Sequence, residues 1–164
     1  MLFFLFQLGK DRYALEASRV VEVLPMVARK HLPQAPKGVV GIFNYRGQPV
    51  PAVDLCELAM GKPAEDRFST RIIIVNYQTS GHAVRLLGLI AESATEMLRK
   101  DPKAFVQSGV HLPAAPYLGP ILMDVQGPIQ WIDEQRLLPE DVCESLFAQT
   151  LGLSPELDCK AKPQ

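Results

Sequence analysis

The chain has 164 residues, of which 48% are hydrophobic and 21% charged, and its formal net charge at pH 7 is -1. A chain of this length has the size of one domain and can bury a sizeable core. The balanced charge argues against the strongly basic surfaces that bind nucleic acid or acidic membranes.

The N-terminal segment MLFFLF predicts a first strand rather than a secretory signal. It has six apolar residues with no basic residue before them. The hydrophobic part of a signal peptide needs about 7–15 apolar residues and a small-residue cleavage site. Elsewhere the sequence has no run near the roughly 20 apolar residues that a membrane-spanning helix requires. We therefore expect a cytoplasmic protein without direct membrane insertion.

Short apolar runs bounded by turn residues recur along the chain and predict strands. The runs are Leu2 to Leu8, Arg19 to Leu24, Val39 to Phe43, Val50 to Leu55, Arg71 to Tyr77, Ala83 to Ile90, Tyr117 to Met123 and Ile129 to Ile132. Their close spacing favours an all-β barrel or sandwich over βαβ units, which need long helices between strands. The fourteen prolines agree with this, because proline is poorly tolerated inside helices.

The strongest helical pattern lies at residues 139–152, within the segment LPEDVCESLFAQTLG. Pro139 suits a first turn, and the acidic residues Glu140 and Asp141 follow it at the positive end of the helix dipole. The apolar residues Val142, Leu146, Phe147 and Leu151 share one face. Residues 153–164 lack apolar periodicity and are predicted to form a flexible tail.

A faint internal repeat relates the two halves of the chain. Leu15, Ala17, Glu22, Val23 and Leu24 recur as Leu89, Ala91, Glu96, Met97 and Leu98, 74 positions later. Pro36, Gly47, Val50 and Asp54 recur as Pro116, Gly127, Ile129 and Asp133, at offsets of 79 or 80. The repeat predicts two similar small barrels within residues 1–138, joined near residues 61–70. The alternative is chance similarity between two apolar, turn-rich sequences.

Catalytic patterns are missing from the sequence. His31, His82 and His111 are isolated from one another, and the cysteines Cys56, Cys143 and Cys159 form no CxxC pair that would suggest zinc or a redox motif. The most defensible enzymatic candidate is Cys56, which follows a predicted strand, but the sequence supplies no base for it. We therefore expect no catalytic residue, metal site or cofactor, and keep a cysteine-dependent enzyme as the alternative.

The stretch GIFNYRGQPVPAVDL, Gly41 to Leu55, places an arginine between two predicted strands. Asn44 and Gly47 are turn-forming residues, so residues 44–48 are predicted to form a tight connection. Arg46 then projects from the turn, either as a solvated residue or as a contact for a partner.

The longer segment LPQAPKGVVGIFNYRGQPVPAVDL resembles the central signature of the CheW-like coupling proteins of bacterial chemosensory arrays. That signature is approximately P-x-A-P-x-x-V-x-G-x-x-N-L-R-G-x-x-x-P-V-x-D-L. The opening FFLFQLGKDRYALEASRVVEVL resembles the start of the same family. The resemblance runs over residues 2–135, is strongest at residues 32–55 and is weak after Gln107.

This resemblance implies a mainly β fold of two SH3-like, five-stranded β-barrels, with the predicted C-terminal helix after them. The implied function is a non-enzymatic scaffold that couples methyl-accepting chemoreceptors to the regulatory domain of a CheA-type histidine kinase, recruited to membrane-associated arrays. The receptor-binding residues of the family fall on Val20, Glu22 and Arg46. A generic SH3-like peptide-binding module is a further alternative.

Two residues depart from the family signature. Tyr45 stands where the N-L-R-G turn usually has leucine, and Cys56 stands where an arginine often follows D-L. An aromatic hydroxyl beside Arg46 alters the receptor-facing surface if it is exposed, and repacks the core if it is buried. These departures suggest a dedicated receptor and a specialised pathway with an output other than flagellar motion.

Overall fold

The computed structural model describes residues 1–79, 81 and 83–147 of the chain. The described residues form nine strands and a short helix: β1 (Leu2–Leu8), β2 (Asp11–Glu16), β3 (Val20–Pro25), β4 (Val39–Tyr45), β5 (Gln48–Asp54), α1 (Leu55–Met60), β6 (Arg71–Gln78), β7 (Val84–Arg99), β8 (Leu118–Asp124) and β9 (Gly127–Ile132). Residues 140–147 are also helical. The protein is therefore mainly β, as the spacing of apolar runs predicts.

Each predicted strand is present, but the pattern misses β2, the second half of β7 and α1. The polar residues Asp11, Arg12 and Glu16 interrupt the apolar run in β2. Charged and hydroxyl side chains likewise interrupt the apolar pattern of β7 after Ala91. The helix α1 has only six residues, and its N-terminus is held by the Asp54 side chain, which accepts bonds from the backbone of Cys56 and Glu57.

The strands form two sheets that share β7. Sheet A has the order β7–β1–β2–β9–β8, and sheet B has the order β3–β6–β7–β5–β4. The first part of β7 pairs with β6 and β5 in sheet B, and its last part pairs with β1 in sheet A. Within the described residues each sheet thus contains five strands, in agreement with the predicted pair of five-stranded barrels.

The internal repeat appears in the topology of the two sheets. β1, β2 and β3 correspond to β6 and the two parts of β7, and β4 and β5 correspond to β8 and β9. The parallel pair β2–β9 in sheet A has its counterpart in the parallel pair β5–β7 in sheet B. Asp54 and Asp133 also correspond, since each side chain accepts a backbone N–H at the start of the helix that follows, α1 after Asp54 and a single 3-10 turn, Glu134–Arg136, after Asp133. These correspondences favour a true repeat over chance similarity.

The two repeats exchange strands, so the chain passes between the sheets at positions other than residues 61–70. That segment connects α1 to β6, and the strands on either side of it, β5 and β6, both belong to sheet B. The chain changes sheets between β2 and β3 and again inside β7, near Ser93, whose φ is 46°. The polar composition of residues 61–70 marks a loop, whereas the crossing inside β7 lies in continuous strand.

Side chains that alternate along the strands fill three apolar clusters. In β1 Phe3 and Leu5 face a cluster inside sheet A, whereas Phe4 and Phe6 face the large cluster between the sheets. In β6 Ile72 and Ile74 line the interior of sheet B, whereas Ile73 and Val75 face the shared cluster. Burial on both faces explains why these strands read as continuous apolar runs.

The C-terminal helix packs on the cluster between the sheets. Its residues Cys143, Leu146 and Phe147 are buried in that cluster, and the Phe147 ring lies 5.9 Å from the Tyr77 ring. The predicted helix over residues 139–152 is therefore present at residues 140–147. Its last predicted turn and the predicted tail at 153–164 lie outside the described residues.

Replacing Gly88 of β7 with alanine should destabilise the protein by about 1–3 kcal/mol, the usual cost of overpacking a core. A Cβ at this position would lie 2.6 Å from an atom of the buried Phe43 ring and 3.0 Å from Ile72. Urea unfolding followed by circular dichroism measures the loss. Gly81→Ala is the matched control, because a Cβ there meets nothing within 4 Å. Equal stability of the two variants would contradict the close packing of Phe43 on β7.

Candidate functional site

The predicted turn between β4 and β5 is a two-residue hairpin. Its central residues, Arg46 and Gly47, have φ values of 52° and 82°. Positive φ at both positions matches the turn that best follows the twist of paired strands. The Asn44 side chain stabilises the turn by accepting a hydrogen bond of 2.7 Å from the backbone N–H of Gly47. The turn therefore projects Arg46 away from the sheet.

This hairpin meets the opposite edge of sheet B. β3 and β4 are the two edge strands of that sheet, and Glu22 of β3 bonds to both Tyr45 and Arg46. The Tyr45 hydroxyl donates to Oε2 of Glu22. Nη2 of Arg46 lies 3.3 Å from each carboxylate oxygen of the same residue. These contacts connect the two edges, as expected for a sheet curled into a barrel.

The three side chains differ in exposure. The Arg46 side chain is 74% exposed and that of Glu22 is 33% exposed, whereas Tyr45 is 9% exposed and lies in the interior cluster of sheet B. The Arg46 guanidinium carbon lies 5.1 Å from the centre of the Tyr45 ring. The bond to Glu22 raises the pKa of Tyr45, so the phenol keeps its proton and acts as a donor. The exposed Arg46 guanidinium is thus supported by the buried Tyr45 ring.

Val20 packs in a different place from Glu22, Tyr45 and Arg46. It pairs with Val75 of β6, and the register of β3 shifts between Val20 and Glu22. Its half-buried side chain packs against the cluster between the sheets. The structure therefore brings together Glu22, Tyr45 and Arg46, while Val20 belongs to the neighbouring part of the same strand.

The turn pattern and the family resemblance point to Glu22, Tyr45 and Arg46 one by one, but they do not predict the hydrogen bonds among them. Glu22 lies more than twenty residues before the other two and on another strand. Their contact requires the two edges of sheet B to meet. Neither the apolar pattern nor the turn residues carry that information.

Cys56, the enzymatic alternative, is buried in a setting that keeps the thiol protonated. The residue is 1% exposed, and Sγ lies 3.5 Å from Oε1 of Glu92 as a hydrogen-bond donor. Burial, with the negative charges of Glu92 and Asp54, raises the pKa of Cys56 to about 12. A thiol with this pKa is a poor nucleophile at neutral pH.

Glu92 is held by hydrogen bonds at the point where β7 passes between the sheets. Its carboxylate accepts bonds of 3.1 Å from the backbone N–H of Gly9 and 2.8 Å from that of Glu65. Burial acts to raise the pKa of Glu92, but these bonds and the Cys56 thiol outweigh it, and the net pKa is lowered. Glu92 therefore remains ionised, and its hydrogen bonds connect β7 to the loops that contain Gly9 and Glu65.

The histidines and the other acidic groups show no further site in the part of the chain that the structure describes. His31 and His111 are exposed, and His82 lies outside the described residues. No three described His, Cys, Asp or Glu side chains come together in a way that could hold a metal ion. Of the described helices, none has the length and apolar character needed to cross a membrane.

Comparisons with known proteins identify relatives of this chain. The CheW-like domain family matches residues 2–142. The chain is 29% identical over 95 residues to the chemotaxis protein CheW of Helicobacter pylori, covering 57% of this chain and 54% of that protein. It also resembles the crystal structure of the scaffolding protein TtCheW from Thermoanaerobacter tengcongensis, with a TM-score of 0.73, 25% identity, and coverage of 84% of this chain and 87% of that chain. The aligned part spans about half the length of the curated relative.

Cys56 should react slowly with a thiol-specific disulfide reagent in the folded protein, because its pKa is near 12 and its side chain is buried. The assay uses a Cys159→Ser background at pH 8 and compares native protein with protein unfolded in urea. Cys143 should also be slow, since burial raises its pKa too. A fast reaction in native protein that disappears in Cys56→Ser would instead support a reactive, enzyme-like thiol.

Stability should fall as the pH rises above about 9, because the unfolded Cys56 loses its proton near its ordinary pKa while the folded thiol keeps its proton to about 12. The folded state binds more protons in this window, so the free energy of unfolding decreases with pH. Cys56→Ala should show a shallower decrease than the parent protein when urea unfolding is measured at pH 8, 9, 10 and 11. An identical pH dependence in both proteins would contradict the raised pKa.

Proposed function

Because the chain belongs to the CheW-like domain family, we propose that it is a non-enzymatic scaffold that couples a methyl-accepting chemoreceptor to a CheA-type histidine kinase. In this role the protein acts in the cytoplasm, at arrays of membrane receptors. The names of its relatives, a chemotaxis protein and a scaffolding protein, support this proposal. The buried, protonated thiol of Cys56 argues against the alternative of a cysteine-dependent enzyme.

The observation that carries the proposal is the placement of Arg46. It occupies the position of the receptor-binding arginine in the family signature, at the tip of a hairpin, with a side chain that is 74% exposed. Glu22 lies 3.3 Å from its guanidinium through a contact that uses one terminal nitrogen. A guanidinium with exposed donors is suited to a carboxylate or a backbone carbonyl on receptor helices. We therefore assign the receptor contact to Arg46, with Glu22 bonded to it and Val20 elsewhere on the same edge strand as Glu22.

Val20 has a supporting part in this assignment. It precedes Glu22 on the edge strand β3 and is half-buried. An apolar side chain on this edge strand can add a hydrophobic contact of its own, separate from the Glu22–Arg46 pair. The kinase contact is assigned to another surface, so that one molecule bridges receptor and kinase.

Arg46→Ala should weaken binding to a soluble fragment of the receptor tip by about 1–3 kcal/mol, or roughly 5- to 150-fold in Kd. Arg46→Glu should weaken it further, because it places a like charge against a receptor carboxylate and against Glu22. Isothermal titration calorimetry measures the affinity, and circular dichroism checks that the fold is retained. Arg99→Ala is the matched control, an exposed arginine at the end of β7 in sheet A.

The same variants should keep their affinity for the regulatory domain of the kinase, since the proposed kinase surface lies elsewhere. Unchanged receptor binding by both Arg46→Ala and Arg46→Glu would overturn the receptor assignment. Equal losses toward receptor and kinase would overturn the two-surface arrangement.

A further inference from the structure

Tyr45 connects the interior of sheet B to the exposed charges at its rim. Its ring lies in the interior cluster, while its hydroxyl reaches Glu22 on the opposite edge of the sheet. A leucine, which the family signature usually has here, would supply the apolar packing but not the hydrogen bond. The hydroxyl of Tyr45 is therefore a feature of this chain that core packing alone does not require.

Glu22 is the shared acceptor for Tyr45 and Arg46. Oε2 accepts from the Tyr45 hydroxyl, and both carboxylate oxygens lie 3.3 Å from Nη2 of Arg46. The face of the Tyr45 ring supports the same guanidinium at 5.1 Å. Thus Tyr45 restrains Arg46 in two ways, directly through its ring and indirectly through Glu22.

We propose that Tyr45 is a positioning residue for the receptor contact, and this inference rests on the proposed function of Arg46. A long arginine side chain on a hairpin tip loses conformational freedom when it binds, and prior restraint reduces that cost. The hydroxyl fixes Glu22, and Glu22 with the aromatic ring fixes one side of the guanidinium. The Arg46 side chain is 74% exposed, so its remaining donors can bond a receptor carboxylate or carbonyl.

This arrangement also defines the specificity of the surface. The Glu22 carboxylate accepts a hydrogen bond from the Tyr45 phenol and pairs with Arg46 at the rim. It therefore acts mainly to support Arg46 within the protein. The group presented to a partner is the guanidinium. The surface therefore favours a receptor helix that offers an acidic side chain over one that offers a basic side chain.

Tyr45→Phe removes the hydroxyl and keeps the ring, so it tests the hydrogen bond to Glu22 alone. We expect receptor affinity to fall by about 3- to 10-fold, the range of a moderate coupling between neighbouring residues. Tyr45→Leu, which also removes the ring, should cause a larger loss. Tyr77→Phe is the matched control, because Tyr77 is another buried tyrosine whose hydroxyl donates to backbone carbonyls, those of Gln135 and Leu138.

A double-mutant cycle separates positioning from a general structural effect. If Tyr45 acts through Arg46, Tyr45→Phe should change affinity less than about twofold when Arg46 is already alanine, since the coupled term is then absent. Additive losses in the double variant, or wild-type affinity in both Tyr45→Phe and Tyr45→Leu, would overturn the proposal. Urea unfolding of each variant confirms that binding is measured on folded protein.

A measurement on the free protein keeps this inference separate from the proposed function. The side-chain Nε–H signal of Arg46 in NMR relaxation experiments should show an ordered group in the parent and in Tyr77→Phe, and a more mobile one in Tyr45→Phe. Unchanged order in Tyr45→Phe overturns the positioning role, whatever the receptor assay shows. Wild-type receptor affinity of both Arg46→Ala and Arg46→Glu, in contrast, overturns the receptor assignment.

Discussion

The backbone ladder of β7 runs through both sheets of the molecule. Residues 84–91 pair with β6, and residues from Glu92 onward pair with β1. At the crossing, Ser93 adopts a left-handed φ of 46°, and the Glu92 carboxylate accepts two backbone N–H groups from separate loops. Because the sheets share this strand and the apolar cluster between them, we expect them to unfold as one unit.

The parts of the fold that could be predicted are those in which burial dominates the sequence pattern. β1 and β6 are apolar on both faces because each lies between two clusters, and both strands were predicted within a residue of their observed ends. β2 could not be found this way, since only Ala14 and Leu15 in its middle are buried and its polar residues occupy both ends. The exchange of strands between the repeats was also hidden, because pairing partners far apart in sequence leave no local signal.

The candidate site shows the same division between local and distant information. Turn chemistry located the β4–β5 hairpin, and the family resemblance singled out Arg46 and Glu22. The support of these residues by Tyr45 depends on the closure of sheet B, which brings its edge strands β3 and β4 together. The site lies across the closure of sheet B, so its geometry depends on the fold. Small changes in barrel packing therefore shift the exposed Arg46 through its covalent and hydrogen-bonded neighbours.

The strand exchange also has a consequence during synthesis on the ribosome. β1 leaves the ribosome well before its second neighbour in sheet A, the end of β7, where Phe3 pairs with Leu98. At typical elongation rates of about 5–20 residues per second, β1 waits on the order of 5–20 s for that partner. Until then, only the hairpin with β2 can shield its phenylalanines. The apolar side chains of β1 are therefore exposed during synthesis for longer than the small size of the protein suggests.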